Sequence, residues 1–235
     1  MTSATPSASI YPGQQRLRQG QSVIAVNVGG RNPDILKALA TSGADFAFID
    51  CERSGIGLDV ATDMIRAAQV AGLAPIVRSW SKDPQVLVQY LDRQACGLVV
   101  PHINTAQDAA DVVELMHYAC GEQAQNKSVI VQIETVDAVR NLDAIMAVPG
   151  VDAYLVGPND LAYSMMGKRG AQTPEVMATI AEVSQRLKKA GKVFGMPANW
   201  AQLEGFKQAG ATFLYFPVEW LLDRALRELN AVMKK

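Results

Sequence analysis

The chain is poor in the residues that would mark a stapled fold, a zinc finger or an imidazole-rich catalyst. Its three cysteines, Cys51, Cys96 and Cys120, are an odd number with no CxxC pair. That excludes a disulfide framework and ordinary zinc spacing, and it points to a reduced, cytoplasmic setting. Only two histidines occur, His102 and His117, so imidazole is scarce for acid–base work. Charge is also sparse and balanced, with 22 Lys and Arg against 23 Asp and Glu for a net −1. A nucleic-acid partner would want a basic stripe, and none is present. No segment approaches the ~18 continuous apolar residues of a membrane span. The opening MTSATPSASIYPG has no apolar stretch of signal-peptide type, so residues 1–15 are expected to be a flexible tail. The GxGxxG, P-loop and GxSxG signatures are absent.

What the chain does have is a repeat of short apolar runs. There are eight: VIAVNVG (23–29), ADFAFID (44–50), APIVRS (74–79), CGLVVPHI (96–103), SVIVQIET (128–135), VDAYLVGP (151–158), KVFGMPA (192–198) and TFLYFPVE (212–219). Most are apolar on both alternating faces, as in parallel strands covered on both sides. Each is followed by a segment of helical pattern. NPDILKALATSG offers Asn32 as N-cap, Pro33 at the first helical position and Gly43 at the end. DPQVLVQYLD repeats the device with Asp83 and Pro84, and Thr105 with Asp108 makes an acidic capping box. Eight strand–helix units predict a single-domain (β/α)8 TIM barrel over residues 16–235. A doubly wound open sheet is the alternative, weakened by the missing glycine fingerprint.

In such a barrel the working face lies at the C-terminal ends of the strands. Those ends carry Asn27; Asp50, Glu52 and Arg53; Arg78; His102; Gln132 and Glu134; Asn159 and Asp160; Asn199; and Glu219. Glu134 and Asp160 end neighbouring strands. Paired carboxylates with room for water suit Mg2+ or Mn2+, but either could instead cap the helix that follows. Arg78 could clamp a substrate carboxylate with its planar fork or form an ion pair with Asp50 or Glu52. Gln132 stands two residues before Glu134, on the same side of the strand. His102 could act as a general acid or base or be a polar rim residue. Cys51 has no histidine nearby in sequence, and no lysine ends a strand, so covalent catalysis has little support.

The string VQIETVDAVRNLDAIMAVPGVDAYLVGPNDL, with FAFIDCE, PIVRS and VVPHINTAQDAADVV, resembles the HpcH/HpaI aldolase/citrate lyase family over nearly the whole chain. The resemblance implies a TIM barrel and a divalent cation, Mg2+ or Mn2+ with Co2+ as a further candidate, held by Glu134 and Asp160. It implies a 2-oxo acid such as pyruvate chelating that metal. Arg78 would stabilise the enolate of a retro-aldol cleavage, Gln132 would support the site, and the backbone N–H groups around Asn159 and Asp160 would hold the carboxylate. A homo-oligomer built from dimers, up to a hexamer, and a place in aromatic-compound catabolism are also implied. The stripe Trp220, Leu221, Ala225, Leu226 and Leu229 could pack such a partner or cover its own barrel.

The sequence departs from the family at informative places. Arg53 stands where the pyruvate aldolases carry their catalytic histidine, and an arginine is a poor base but a fixed positive charge suited to an anionic group, such as a second carboxylate on the substrate. His102 or a metal-bound water would have to substitute. The segment after the fourth strand is short, Ala162 replaces a usual serine, and Glu219 is positioned to project into the site. Aldol cleavage of a 4-hydroxy-2-oxo acid is the expected activity, with Arg78, Arg53, His102, Asp50 and Glu52 as its catalytic group. The alternatives are decarboxylation of, or condensation on, an oxaloacetate-type acid, and 2-oxo acid binding without turnover.

Overall fold

The computed structural model describes residues 10–170 and 173–234. Eight parallel strands close into one barrel in sequence order: β1 (Val23–Asn27), β2 (Phe46–Asp50), β3 (Ala74–Arg78), β4 (Gly97–Val100), β5 (Ser128–Ile133), β6 (Ala153–Val156), β7 (Phe194–Pro197) and β8 (Phe213–Pro217). Closure is made by β1 against β8, with Val23 opposite Phe213 and Asn27 opposite Pro217. Every predicted strand is present, each shorter than its apolar run.

Around the barrel run α1 (Pro12–Arg18), α2 (Ile35–Thr41), α3 (Leu58–Ala71), α4 (Pro84–Asp92), α5 (Ala106–Cys120), α6 (Val136–Arg140), α7 (Leu142–Met146), α8 (Pro158–Met166), α9 (Pro174–Lys189), α10 (Leu203–Ala209) and α11 (Val218–Met233). Local chemistry sets several of the starts. The Asp83 side chain accepts from the backbone N–H of Gln85 ahead of α4, and Thr105 and Asp108 cap each other's backbone at α5. The expected start at Asn32 and Pro33 is not realised. The chain turns there first, and α2 begins at Ile35 with no side-chain cap. Among the described residues no helix is long and apolar enough to cross a membrane.

Strand alternation produces two cores. Phe46, Phe48, Ala74, Ile76, Ile130, Leu155 and Phe213 fill the barrel interior with Leu17 of α1. The opposite phase, Ala47, Ile49, Val77, Val131 and Val156 among others, packs under the helices. Because both phases are apolar, the runs read as continuous rather than alternating.

The tail expected over residues 1–15 is corrected at its C-terminal end. Residues 1–9 lie outside the described residues, but α1 begins at Pro12 and closes the N-terminal mouth of the barrel. Gln14 is fully buried, and its amide donates to the carbonyls of Cys96 (2.8 Å) and Asn126 (2.9 Å). Arg16 pairs with Asp45 beside it. A helix that satisfies buried carbonyls across the barrel floor belongs to the domain.

Candidate active site at the C-terminal rim

In β1, β2, β3 and β5 the inward phase, continued by two residues, leaves the apolar interior and reaches the polar rim. From Ala25 it arrives at Asn27, from Phe48 at Asp50, from Ile76 at Arg78, and from Ile130 at Gln132 and then Glu134. Alternation therefore aims these side chains into the barrel mouth.

Asp50 organises one side of the rim. It is 2% exposed and receives a two-pronged fork from Arg78, Nε to Oδ1 at 2.9 Å and Nη2 to Oδ2 at 2.6 Å. The backbone N–H groups of Glu52 and Arg53 both donate to Oδ1 at 3.1 Å, and Asn27 Nδ2 donates to Oδ2 at 3.2 Å. Arg78 also pairs with Glu52 at 3.1 Å. Burial alone would lower the Arg78 pKa, but hydrogen bonding and charge from Asp50, reinforced by Glu52, make the net shift upward. The ion pair foreseen for Arg78 is thus formed, and it fixes the guanidinium at the cavity wall.

Glu134 is fully buried. Oε1 accepts from the backbone N–H of His102 at 2.8 Å and Oε2 from Gln132 Nε2 at 2.5 Å. Desolvation raises its pKa, and the charges of Glu52 and Asp160 add to the rise, against the lowering by His102. It does not cap the next helix. Thr135 does that, accepting from Ala138 N–H. Gly157 is required here, since a Cβ on it would lie 2.9 Å from both Cβ and Oε2 of Glu134. The turn that brings His102 N–H onto Glu134 places His102 at φ +56°, a backbone region that non-glycine residues seldom adopt and that is enriched at functional sites. The His102 ring is 53% exposed, with Nδ1 3.3 Å from Glu134 Oε1.

Asp160 lies in the first turn of α8, whose N-cap Gly157 supplies no side-chain bond. Its Oδ1 meets Arg53 Nη2 at 2.6 Å and Arg169 Nη2 at 3.7 Å. A cavity of about 270 Å3 opens between these groups, lined by Arg53, Arg78, Gln132, Asn159, Asp160, Arg169, Tyr215 and Trp220. The Oε1 atom of Gln132 is buried without a hydrogen-bond partner. A larger concavity, about 450 Å3, lies between α9 and α10. Its lining includes Met177, Ile180 and Phe206, with Lys188 as its one charged side chain, so size alone does not mark the site.

The predicted Arg53, Arg78, Gln132, Asn159 and Asp160 therefore share one cavity, with Asp50, Glu52 and Glu134 directly behind them. His102 reaches the group through Glu134 and does not line the cavity. Glu219 is exposed on α11 beside Gly29 and does not line the cavity, although its charge reaches Tyr215. Asn199 lines a neighbouring hollow with Trp220. Cys51 is no nucleophile. Burial pushes its thiol up to about 11, with Asp50 adding to the rise against a hydrogen bond from Tyr90.

Sequence reasoning missed three cavity residues. Tyr215 shares the inward phase of Phe213, a signal that was available, and its hydroxyl accepts from Asn27 Nδ2 at 2.9 Å. Trp220 belongs in the sequence to the apolar stripe of the last helix, which could pack a partner or cover its own barrel. Arg169 follows α8 in a loop and gave no local signal.

A parallel barrel with buried carboxylates and oriented arginines at the C-terminal rim defines an enzyme of the TIM-barrel class. The family model of the HpcH/HpaI aldolase/citrate lyase matches residues 24–219, and the chain belongs to that family. It is 30% identical to the hydroxypyruvate/pyruvate aldolase of Pseudomonas aeruginosa over 94% of this chain and 92% of that one. It is 32% identical to the 2-dehydro-3,6-dideoxy-6-sulfogluconate aldolase of Pseudomonas putida over 72% and 75% of the two chains. A family protein from Burkholderia cenocepacia J2315 superposes with a TM-score of 0.83 at 28% identity, covering 94% of this chain and 98% of that one. The chain is accordingly a member of a family that includes aldolase-type lyases.

Proposed function

We propose that the protein is a divalent-metal-dependent lyase that cleaves a 4-hydroxy-2-oxo acid into pyruvate, or a close relative, and an aldehyde. The observation that carries this reading is the fully buried Glu134, whose charge is disfavoured by the nearby carboxylates of Glu52 and Asp160, beside an arginine already locked by Asp50.

The residues fit a cation of the Mg2+ or Mn2+ type, with Co2+ as a further candidate. Among the described residues no group of three or more His, Cys, Asp and Glu side chains is placed to hold a metal. On this reading the protein's share is the two carboxylates of Glu134 and Asp160, leaving positions for water and substrate, as oxygen-loving ions accept. Around the cavity four carboxylates (Asp50, Glu52, Glu134, Asp160) face three guanidiniums (Arg53, Arg78, Arg169). A divalent cation reverses that single negative excess, and one substrate carboxylate restores neutrality. Gly157, which lines the cavity beside Glu134, and the orphaned Gln132 Oε1 both suit a polar ligand.

When bound, the metal would supply Lewis-acid polarisation of the 2-oxo group. Arg78 would hold the developing enolate oxygen or the adjacent carboxylate with charge-assisted hydrogen bonds. Asp50 would keep Arg78 in place. The uncapped start of α8 at Asn159 and Asp160 offers backbone N–H groups to a carboxylate.

A second reading is favoured by the cavity lining, which contains three arginines and no imidazole. Decarboxylation of an oxaloacetate-type acid breaks the C3–C4 bond, releases CO2 and leaves the electron pair in the enolate. It needs no base at position 53. A place in the cytoplasm fits the three free thiols.

A homo-oligomer is part of the proposal. Of the 16 residues of α11 only Val218 is buried, while Leu222, Leu226, Leu229, Val232 and Met233 are exposed. An apolar groove of about 260 Å3 over β1 and β8 includes Ile24, Trp200, Leu214 and Phe216. The exposed stripe of α11 suits a second copy of the chain.

The test is deuterium uptake into the methyl group of pyruvate, followed by NMR in D2O with Mg2+ or Mn2+. Exchange that disappears with EDTA and in Glu134→Ala is the expected result. Pyruvate binding without exchange would overturn the aldolase reading and leave decarboxylation or binding without turnover.

A further inference from the structure

We propose that Arg53 is an exchangeable counter-ion. It neutralises Asp160 while the metal position is unfilled, and it transfers to a second carboxylate on the substrate when a divalent cation binds. The inference rests on the reading of Glu134 and Asp160 as metal ligands.

The two arginines that face the cavity from the second and third strand ends are held in different ways. Arg78 is a fixture. Its side chain is 13% exposed and is forked onto an acid that is itself 2% exposed. Arg53 is pinned only at its root, where its backbone N–H donates to Asp50 Oδ1 at 3.1 Å. Its side chain is 37% exposed and reaches across the mouth to Asp160 Oδ1 at 2.6 Å. Among the described residues the one other acid paired with its head is Glu52, at 3.9 Å, and Arg78 already engages that carboxylate at 3.1 Å. Arg53 therefore has one strong partner, and that partner is a proposed metal ligand.

A divalent cation on Asp160 would stand within a few ångström of this guanidinium. Like charges at that range, in a partly enclosed cavity, repel strongly. Cation binding must release the Arg53 head, and the released head stays over the cavity because its root does not move. Arg169, 3.7 Å from the same oxygen, would be loosened with it. A planar guanidinium without a partner is a receptor for a carboxylate, which it can grip with two parallel hydrogen bonds. A substrate with a carboxylate only at C1 leaves Arg53 unpaired. A substrate with a second carboxylate at its far end gives it a new partner. By thermodynamic reciprocity, the metal and a dicarboxylic 2-oxo acid should then strengthen each other's binding.

The experiment reads binding, not turnover. Free Mn2+ is measured by electron paramagnetic resonance during titration of the wild type, Arg53→Ala, Arg53→Lys and Glu134→Gln. Each titration is repeated with 2-oxoglutarate or with 2-oxopentanoate, acids of equal carbon number carrying two carboxylates and one. Circular dichroism checks that the exposed Arg53 variants are folded. Removing one charge-assisted competitor should tighten Mn2+ binding by about 10- to 100-fold in Arg53→Ala. In the wild type, 2-oxoglutarate should tighten Mn2+ by at least about tenfold more than 2-oxopentanoate does. That difference should vanish in Arg53→Ala and partly survive in Arg53→Lys. If a Glu134-dependent Mn2+ site exists but Arg53→Ala leaves its affinity unchanged and the two acids behave alike, the counter-ion role is wrong and the metal reading stands. If neither the wild type nor Arg53→Ala shows a Glu134-dependent site, both are wrong.

Discussion

Asp50→Asn is the sharpest test of how the rim is held together. The two carboxylate oxygens of Asp50 accept five donors between them. Oδ1 takes Arg78 Nε and two backbone N–H groups, and Oδ2 takes Arg78 Nη2 and Asn27 Nδ2. An asparagine keeps the shape but replaces one oxygen by a donor. Its better orientation places the NH2 at the Oδ2 position, where it meets two other donors. Removing one partner of a buried ion pair costs about 3–5 kcal/mol. Because Glu52 remains 3.1 Å from Arg78, we expect the lower end, about 3 kcal/mol. For a chain of this size that lowers Tm by roughly 6–12 °C. Differential scanning calorimetry of metal-free protein measures it directly. Arg78→Leu with Asp50→Asn should cost less than the two single losses added together, because each single variant strands the other's charge, although the double variant leaves Glu52 without Arg78. A Tm fall below about 2 °C, or strictly additive losses in the double variant, would refute the reasoning. The same substitution should raise KM for the 2-oxo acid, since Arg78 loses its fixed orientation.

Glu134→Gln should stabilise the metal-free protein while abolishing Mn2+ binding. Desolvation, aided by Glu52 and Asp160, raises the folded-state pKa. Below the unfolded value of about 4.3 both states are protonated and the variant gains nothing. As pH rises through the raised folded pKa, the fold must carry the charge and loses stability. The Tm advantage of the variant should therefore grow from acid to neutral pH, and a flat difference would contradict the sign. Gly157→Ala places a Cβ 2.9 Å from the Glu134 side chain. It should cost about 1–3 kcal/mol in urea denaturation and weaken Mn2+ binding, and an unperturbed variant would show that Glu134 yields freely. Leu226→Glu with Leu229→Glu alters side chains that are 58% and 62% exposed. Analytical ultracentrifugation should find a smaller assembly with an unchanged circular dichroism spectrum, and an unchanged mass would remove α11 from the interface.

How much of this was legible in the sequence follows from the range of the interactions. The strands were readable because burial on both faces makes each a continuous apolar run, and the caps at Asp83 and Thr105 were readable because each bond spans two or three residues. Asn32 carried the same local signal and failed, because a turn placed the start of α2 at Ile35. Gln14, buried against a carbonyl 82 residues away, looked like part of a tail because nothing adjacent in sequence needed it. The rim acids and Arg78 were readable through strand phase, which carries a side chain from the apolar interior to the mouth in steps of two. Phase says where a side chain points and not which charge it meets. The contact between Arg53 and Asp160 joins positions 107 residues apart. The sequence says that Arg53 is a poor base and a fixed positive charge suited to an anionic group. The fold adds that its positive charge already rests on the acid proposed to hold the metal. The loss of a proton carrier and the gain of a competing cation are therefore one substitution, and metal affinity and turnover should change together when Arg53 is replaced.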